Sequence, residues 1–146
     1  MHSLTRQTTS LNLKAARLLA DRVLEEAEHL GKDIALTLLD ASGLAILRLK
    51  MDSAPEPSQE IALRKARTAL AFSTPTHLWD ERFDKVSPGA KTGLPLQEGL
   101  AFFGGGVPLK LGEIQVGALG ISGASEAEDT QLAESAAEYL QELSKG

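Results

Sequence analysis

The sequence contains no cysteine among its 146 residues. Disulfide bonds, thiolate catalysis and cysteine-ligated metal sites are therefore excluded, and the absence fits a reducing compartment. No apolar run approaches the ~18 residues that a membrane-spanning helix needs. The first ten residues carry neither the apolar segment nor the cleavage signature of a secretory signal. We therefore expect a cytoplasmic protein with no membrane partner.

Aromatic residues make up only 4% of the chain, and the net charge is −5. Nucleic-acid binding needs a dense basic face, so this composition predicts no nucleic-acid partner. The segment after Ser125 is strongly acidic, whereas the middle of the chain carries six cations, Arg64, Lys65, Arg67, Arg82, Lys85 and Lys91. This distribution leaves room for a local basic pocket that binds a small anionic ligand.

Hydrophobic periodicity predicts an α+β chain of one domain, with residues 1–9 flexible. The predicted order is a helix over 11–30, strands over 33–40 and 44–51, helices over 59–72 and 73–83, an irregular segment over 86–99, strands near 100–103, 107–111 and 114–122, and a helix that begins near 126. Three helix starts carry capping signals: Ser10; Thr74 followed by Pro75; and Ser125 with Glu128. Hairpin-joined strands between helices favour a mostly antiparallel sheet covered by helices.

Glycine is concentrated in the last third of the chain, where Gly104, Gly105 and Gly106 stand in a row before Val107 and Pro108. One interpretation is an ordinary tight turn. The other is a nest of backbone N–H groups for a carboxylate or phosphate. The spacing matches neither a Rossmann fingerprint nor a Walker loop.

The strand over 114–122 also has small residues on both faces, and one face is nearly bare beyond Val116. A bare strand face lets another element approach closely. We expect the small side chains of the second long helix, Ala62, Ala66 and Ala69, to pack against it.

Five short motifs follow one another along nearly the whole chain. They are Asp40-x-x-Gly43, Lys50-Met51-Asp52-x-Ala54, Lys65-Ala66-x-Thr68-Ala69, Gly104-Gly105-Gly106-x-Pro108, and Gly117-x-x-Gly120-Ile121-Ser122-Gly123 followed by Asp129. Together they resemble the GlcG/HbpS-type haem-degrading domain family, which also forms the C-terminal half of PduO-type corrinoid adenosyltransferases. The resemblance implies a profilin-like three-layer α/β/α sandwich around a five-stranded, mostly antiparallel sheet. It also implies a homo-oligomer and, for some members, haem or corrinoid binding.

The chain departs from this family at two points. For some haem-binding members the resemblance implies a histidine ligand in the first helix, but residues 3–28 contain no histidine. Lys50 stands where the family usually has arginine, which keeps the charge but loses the bidentate fork. The resemblance therefore carries over the fold but not the haem ligand.

Lys65 interrupts an alanine-rich helix face, and we predict that it pairs with a ligand carboxylate near the amides of Gly104–Gly106. The alternative is a solvated lysine, or an ion pair with Asp40 or Asp52. Thr68 lies on the same helix face. Phe72 and Pro108 complete the predicted ligand-binding set. Phe72, Phe102 and Phe103 are candidates for the apolar wall of a pocket, with core packing as the alternative.

The three histidines are His2, His29 and His77. His2 is terminal, and His29 suits the last turn of the first helix, where an imidazolium complements the helix dipole. His77 is the candidate iron ligand or acid–base group, with a plain surface histidine as the alternative. Met51 is the other candidate iron ligand, through its thioether, with core packing as the alternative.

Three functions remain open from the sequence. The first, implied by the resemblance, is a small-ligand-binding domain for haem or another tetrapyrrole, with haem degradation as its chemistry. The second is an enzyme acting on a small organic carboxylate, with Lys65 or His77 as the acid–base group and the glycine amides as an oxyanion site. The third is an accessory protein without a ligand, in which these motifs are structural.

Overall fold

The computed structural model describes residues 3–146, so His2 lies outside the described residues. Within that range four strands form one antiparallel sheet in the order β2-β1-β4-β3. The strands are β1 (Ala35–Asp40), β2 (Ala45–Lys50), β3 (Gly106–Leu111) and β4 (Ile114–Ser122). The helices are α1 (Leu13–Leu30), α2 (Ser58–Phe72), α3 (Trp79–Arg82), α4 (Pro88–Gly93) and α5 (Glu126–Lys145).

Local sequence signals explain the first hairpin. Asp40 ends β1, and its Oδ1 accepts hydrogen bonds from the amides of Ser42 and Leu44 at 2.9 and 3.0 Å. Gly43 completes the turn with a φ of 88°, a conformation that favours glycine. The predicted β-hairpin is confirmed.

The sheet is covered by helices on both faces. On one face, α1 and α5 pack on apolar residues of the strands, such as Leu36, Leu38 and Leu119. On the other face, α2 lies directly on β4, because Gly120 leaves room for the backbone of Ala62 and Ala66. The predicted close packing of the alanine face on the bare strand is confirmed.

Two of the three predicted caps are wrong. α1 is capped by Asn12, whose side chain accepts from the amide of Ala15, while Ser10 Oγ accepts from the amide of Ala41. Thr74 does not cap a helix, since its hydroxyl donates to the carbonyl of Phe72. The capping box at the start of α5 is confirmed.

The segment 86–103 also differs from prediction. Residues 86–99, expected to be irregular, contain α4 and a 3-10 turn at Leu94–Leu96. Residues 100–103 form no strand, so the described sheet has four strands rather than five. The reason is a tertiary contact, because the amide of Ala101 donates to Thr68 Oγ1 on α2 instead of to a neighbouring strand.

None of the described helices is long and apolar enough to cross a membrane.

Candidate functional site

A buried ion pair joins α2 to α5 at the end of β4. Lys65 and Asp129 are 1% and 2% exposed. Lys65 Nζ lies 3.4 Å from Asp129 Oδ2 and donates to the carbonyl of Ile121 at 2.9 Å. The expected partners Asp40 and Asp52 are wrong, because Asp40 is engaged in its turn and Asp52 is exposed.

Burial governs the electrostatics of this pair. Loss of hydration lowers the pKa of Lys65, although Asp129 opposes the shift. The same loss raises the pKa of Asp129, against the effects of Lys65 and of the Ala124 amide, which donates to Asp129 Oδ1. The ring of Phe103 lies 4.9 Å from Lys65 Nζ, so the ammonium is enclosed on every side by protein groups.

The triple-glycine loop is held by the protein's own side chains. The amide of Gly104 donates to Glu126 Oε1, and the amide of Gly106 donates to Thr76 Oγ1, both at 2.8 Å. The carboxylate at this loop belongs to Glu126 and accepts from the amide of Gly104 alone, so a nest for a ligand anion stays a prediction. The loop needs glycine at Gly105 because φ is 128° there and a Cβ would overlap the backbone carbonyl oxygen of Ile121.

The other predicted ligand-binding residues are engaged in the fold. Thr68 is fully buried and donates to the carbonyl of Arg64 while accepting from Ala101. Pro108 is in the edge strand β3, paired with Ala118, a position that proline tolerates. Phe72 belongs to an aromatic cluster of Phe72, Trp79, Phe83 and Phe102, with ring centroids 4.8–6.0 Å apart.

His77 is a candidate residue that is partly open to solvent. It lies in a 3-10 turn, Thr76–Leu78, and its side chain is 34% exposed. Its Nε2 is 3.5 Å from Glu134 Oε1, while its Nδ1 is enclosed without a hydrogen-bond partner among the described residues. Leu78 follows His77 in sequence, and Phe103 precedes Gly104, where a Cβ would lie 3.2 Å from His77 Cβ. Leu78 and Phe103 are 40% and 45% exposed.

A shallow depression of about 400 Å³ adjoins His77 and is lined also by Asp80, Glu126, Ala127 and Thr130. With Glu134 beside it, the surroundings of the imidazole are acidic. Across residues 3–146, no group of three or more His, Asp or Glu side chains has a geometry that could hold a metal ion.

Met51 lies far from His77. Its sulfur accepts a hydrogen bond from the amide of Ile34 at 3.3 Å, and the side chain packs against the core. It follows the edge strand β2, whereas His77 adjoins the opposite edge strand β3. Three strand spacings, about 14 Å, separate the two edges. His77 and Met51 of one chain therefore cannot ligate the same iron.

The sequence did not predict the three residues whose side chains bind Lys65 and the triple-glycine loop. Asp129 was visible as the last residue of the family motif, but its pairing with Lys65 was not. Glu126 sits in the capping-box segment, where an acidic residue is already expected for the helix dipole. Nothing in the sequence distinguishes Thr76 as the partner of Gly106.

Comparison with known proteins agrees with the layered fold. A family model described as "Haem degrading protein HbpS-like" matches residues 11–138. This chain belongs to the HbpS-like family. The resemblance expected from the motifs is thereby confirmed.

Individual relatives support the HbpS-like assignment. The chain is 36% identical over 138 residues to the corrinoid adenosyltransferase PduO of Salmonella typhimurium, an alignment that covers 92% of this chain and 40% of PduO. It therefore spans about two fifths of that relative.

Two solved structures share the HbpS-like fold. A double mutant of HbpS from Streptomyces reticuli superposes with a TM-score of 0.84 at 30% identity, covering 96% of this chain and 93% of HbpS. PduOC, solved as its haem complex, gives a TM-score of 0.79 at 35% identity, covering 89% of this chain and 94% of PduOC.

Proposed function

We propose that this chain binds a haem-type tetrapyrrole at the surface formed by His77, Leu78 and Phe103. Membership of a family described as haem-degrading and the haem complex of the relative PduOC support the class of ligand. The observation that carries the location is the partly exposed imidazole of His77, which precedes Leu78 and lies beside Gly104, the residue after Phe103. Leu78 and Phe103 are both large apolar residues that are 40% or more exposed. Such an apolar surface suits the flat ring of a tetrapyrrole.

The residues of this surface are better suited to apolar contact with a tetrapyrrole ring than to coordination of an iron atom. Coordination by His77 Nε2 would break its contact with Glu134 and move the proton to Nδ1, which is enclosed without an acceptor among the described residues. Metal-ligating histidines normally have that second nitrogen hydrogen-bonded. The thioether of Met51 is already engaged with Ile34. We therefore propose binding through ring contacts, without a preformed iron ligand from this chain.

The charged groups set the orientation of such a ligand. Asp80, Glu126 and Glu134 repel carboxylates, and Lys65 is neutralised by Asp129. Ligand carboxylates must therefore point towards solvent, away from the acidic depression. A bound haem would supply iron redox chemistry on dioxygen or peroxide, the chemistry that degradation needs.

The same geometry gives less support to the second function, an enzyme that acts on a small organic carboxylate. Lys65 is 1% exposed and paired, so it has no open path to a substrate. His77 is accessible as an acid–base group, but its acidic surroundings disfavour a small anion.

Titration with haemin and with iron-free protoporphyrin tests the proposal. The single tryptophan, Trp79, lies in the aromatic cluster with Phe102, next to Phe103, so its emission reports binding. We expect saturable quenching by both compounds, with dissociation constants within about tenfold of each other, a difference of about 1.4 kcal/mol. Phe103→Ser should weaken both about tenfold through lost apolar contact. Ile114→Ser, a matched change of an exposed apolar residue far from this surface, should weaken neither.

Three results would contradict the proposal. The absence of saturable binding by either compound would favour the accessory protein without a ligand. Binding of haemin alone, lost in a variant that carries both His77→Ala and Met51→Leu, would indicate iron ligation by the protein. Equal weakening by Ile114→Ser and Phe103→Ser would show that the surface is misassigned.

A further inference from the structure

The hairpin of β1 and β2 continues by one residue pair beyond the strand ends, and a sulfur atom takes part in that pair. The amide of Met51 donates to the carbonyl of Ile34 at 2.9 Å. In an antiparallel sheet two residues paired in this way exchange both hydrogen bonds, so the amide of Ile34 would normally donate to the carbonyl of Met51. It donates instead to Met51 Sδ, at 3.3 Å. A thioether therefore replaces a carbonyl as the acceptor at the end of the ladder.

Lys50 accounts for this change of acceptor. Its Nζ donates to the carbonyls of Met51, Asp52 and Ala54 at 3.0, 3.1 and 3.4 Å, so the Met51 carbonyl is already engaged. Ile34 is fully buried, and water does not replace the missing carbonyl. The amide of Ile34 therefore depends on the sulfur, which is a weak acceptor.

The side chain of Met51 also borders a cleft. Met51 is half-buried and lines a cleft of about 460 Å³ between α1 and the end of β2, named here the α1–β2 cleft. The cleft is lined also by Leu24, Glu28, Asp33, Leu49, Lys50 and Asp52. These charged groups do not repel hydrogen peroxide, which is uncharged at neutral pH. A small neutral oxidant can therefore reach Met51 from solvent.

The composition directs peroxide to methionine. The chain has no cysteine, whose thiolate would otherwise react first. Of its two methionines, Met1 lies outside the described residues. Met51 therefore holds the one sulfur atom within residues 3–146.

We propose that Met51 is a site of reversible oxidation by peroxide, which forms one sulfoxide epimer and releases the amide of Ile34. A lone pair of Sδ attacks one oxygen of hydrogen peroxide, so that the S–O bond forms and the O–O bond breaks. The displaced hydroxide takes the proton left on the transferred oxygen and leaves as water. The sulfur is oxidised by two electrons, and the peroxide is reduced.

The hydrogen bond from Ile34 determines which epimer forms. A thioether sulfur carries two lone pairs, and oxygen added to one or the other gives opposite configurations at sulfur. The lone pair that accepts from Ile34 is covered by a fully buried residue, so peroxide from the α1–β2 cleft reaches the other one. The new oxygen then points into the cleft and not towards the amide.

Oxidation removes the acceptor of Ile34. The sulfur of a sulfoxide carries partial positive charge and no longer accepts a hydrogen bond, which leaves a buried N–H without a partner. The new oxygen is also polar, and Leu24 and Leu49 belong to the same lining. We therefore expect this end of the hairpin to open more often in the oxidised protein.

Oxidation of a Leu44→Met variant by hydrogen peroxide tests the site against an internal reference. Leu44 is 68% exposed at the turn of the first hairpin, and the change nearly conserves volume. Trypsin separates the two positions into peptides 33–48 and 51–64, so mass spectrometry follows the gain of one oxygen at each. We expect Met51 to be oxidised at a rate within about tenfold of the reference position. A Met51 that stays reduced while the reference is fully oxidised would overturn the proposal.

The configuration of the sulfoxide tests the direction of attack. The reductases MsrA and MsrB each reduce one sulfoxide epimer, and both are applied after digestion so that burial plays no part. We expect one of them to reduce about nine tenths or more of the Met51 sulfoxide, whereas each should reduce about half at the exposed reference position. Equal halves at Met51 would overturn the proposal.

Hydrogen exchange followed by NMR tests the link to Ile34. In the oxidised protein we expect the amide of Ile34 to exchange at least about tenfold faster. The amide of Ile121, which donates to the carbonyl of Gly105 at 2.9 Å, should be unchanged. Met51→Leu removes the sulfur without adding oxygen, so it should also speed exchange at Ile34 and make it insensitive to peroxide. An Ile34 amide unaffected by both changes would overturn the proposal.

Reversibility is tested on the folded protein. The reductase that matches the epimer should restore slow exchange at Ile34, and persistent fast exchange after treatment would contradict reversibility. None of these measurements involves a tetrapyrrole, so their outcome is separate from that of the ligand titration.

Discussion

Lys65 illustrates how a single buried charge can join three elements of a small protein. Its stem runs from α2, its ammonium donates to the carbonyl of Ile121 on β4, and Asp129 on α5 neutralises it. An apolar residue would fill the same space, but it would leave the Ile121 carbonyl and the Asp129 carboxylate without this donor. The residue is therefore best understood as a structural cation rather than as a ligand-binding one.

Replacement of Lys65 tests that role. Lys65→Met keeps the stem but leaves the Asp129 carboxylate buried without its cation, so we expect a loss of about 3–5 kcal/mol in the free energy of unfolding. Urea denaturation followed by circular dichroism measures it.

Two further variants serve as controls for the Lys65 prediction. Lys65→Met combined with Asp129→Asn should recover most of the loss, because no buried charge then remains. Lys91→Met, at an exposed lysine, should change stability by less than about 0.5 kcal/mol. A Lys65→Met variant as stable as the parent would rule out the structural role.

Gly120 sets the distance between β4 and α2. A Cβ there would overlap the carbonyl oxygen of Ala62 and lie 2.7 Å from the amide nitrogen of Ala66. Both contacts are with backbone, which cannot rotate away, so Gly120→Ala should cost about 3 kcal/mol or more in thermal or urea unfolding.

Gly93 provides the matched control, since a Cβ there meets nothing within 4 Å. Gly93→Ala lies in a helical turn and should leave stability unchanged or raise it by up to about 1 kcal/mol. Equal effects of the two substitutions would show that close packing at Gly120 is not what requires glycine.

At the scale of elements, α5 begins with a reciprocal capping box. Ser125 Oγ accepts from the amide of Glu128, and Glu128 Oε1 accepts from the amide of Ser125, both at 3.1 Å. The bond from the Ser125 amide favours the ionised carboxylate. The amide of Ser125 is the largest cause, followed by its hydroxyl, and together they hold the pKa of Glu128 below its ordinary value.

This cap predicts a pH dependence. Between the lowered pKa of Glu128 and its ordinary value of about 4.3, the unfolded chain binds the proton and the folded chain does not. The stability that Glu128 contributes is therefore complete above the ordinary value, and is lost as the pH falls through the lowered one. Carboxyl NMR titration should detect the low pKa in the parent. Ser125→Ala should move it upwards and cost about 1 kcal/mol.

A comparison with Glu128→Gln completes the test of the cap. The stability difference between the parent and Glu128→Gln should shrink as the solution becomes more acidic. A difference that grows with acidity would contradict the assigned direction of the pKa shift.

At the scale of the whole molecule, periodicity and small-residue patterns predicted which elements form and which helix lies on β4. They failed where a distant contact decides the outcome. The apolar run at 100–103 has strand propensity, yet Thr68 holds its backbone against α2. The partner of Lys65 was missed for the same reason, because Asp129 is 64 residues away in sequence. Such pairings depend on the assembled fold, and no local pattern encodes them.

The strand order has a consequence for how the chain is made. β1 is synthesised early but needs β4, the last strand, as its inner neighbour. During synthesis on a ribosome, the first hairpin must therefore wait with one side unpaired until β4, which ends at Ser122, has emerged. The first half alone lacks both the central neighbour of β1 and the anion for Lys65, so it has no route to the native arrangement before the carboxyl-terminal segment arrives.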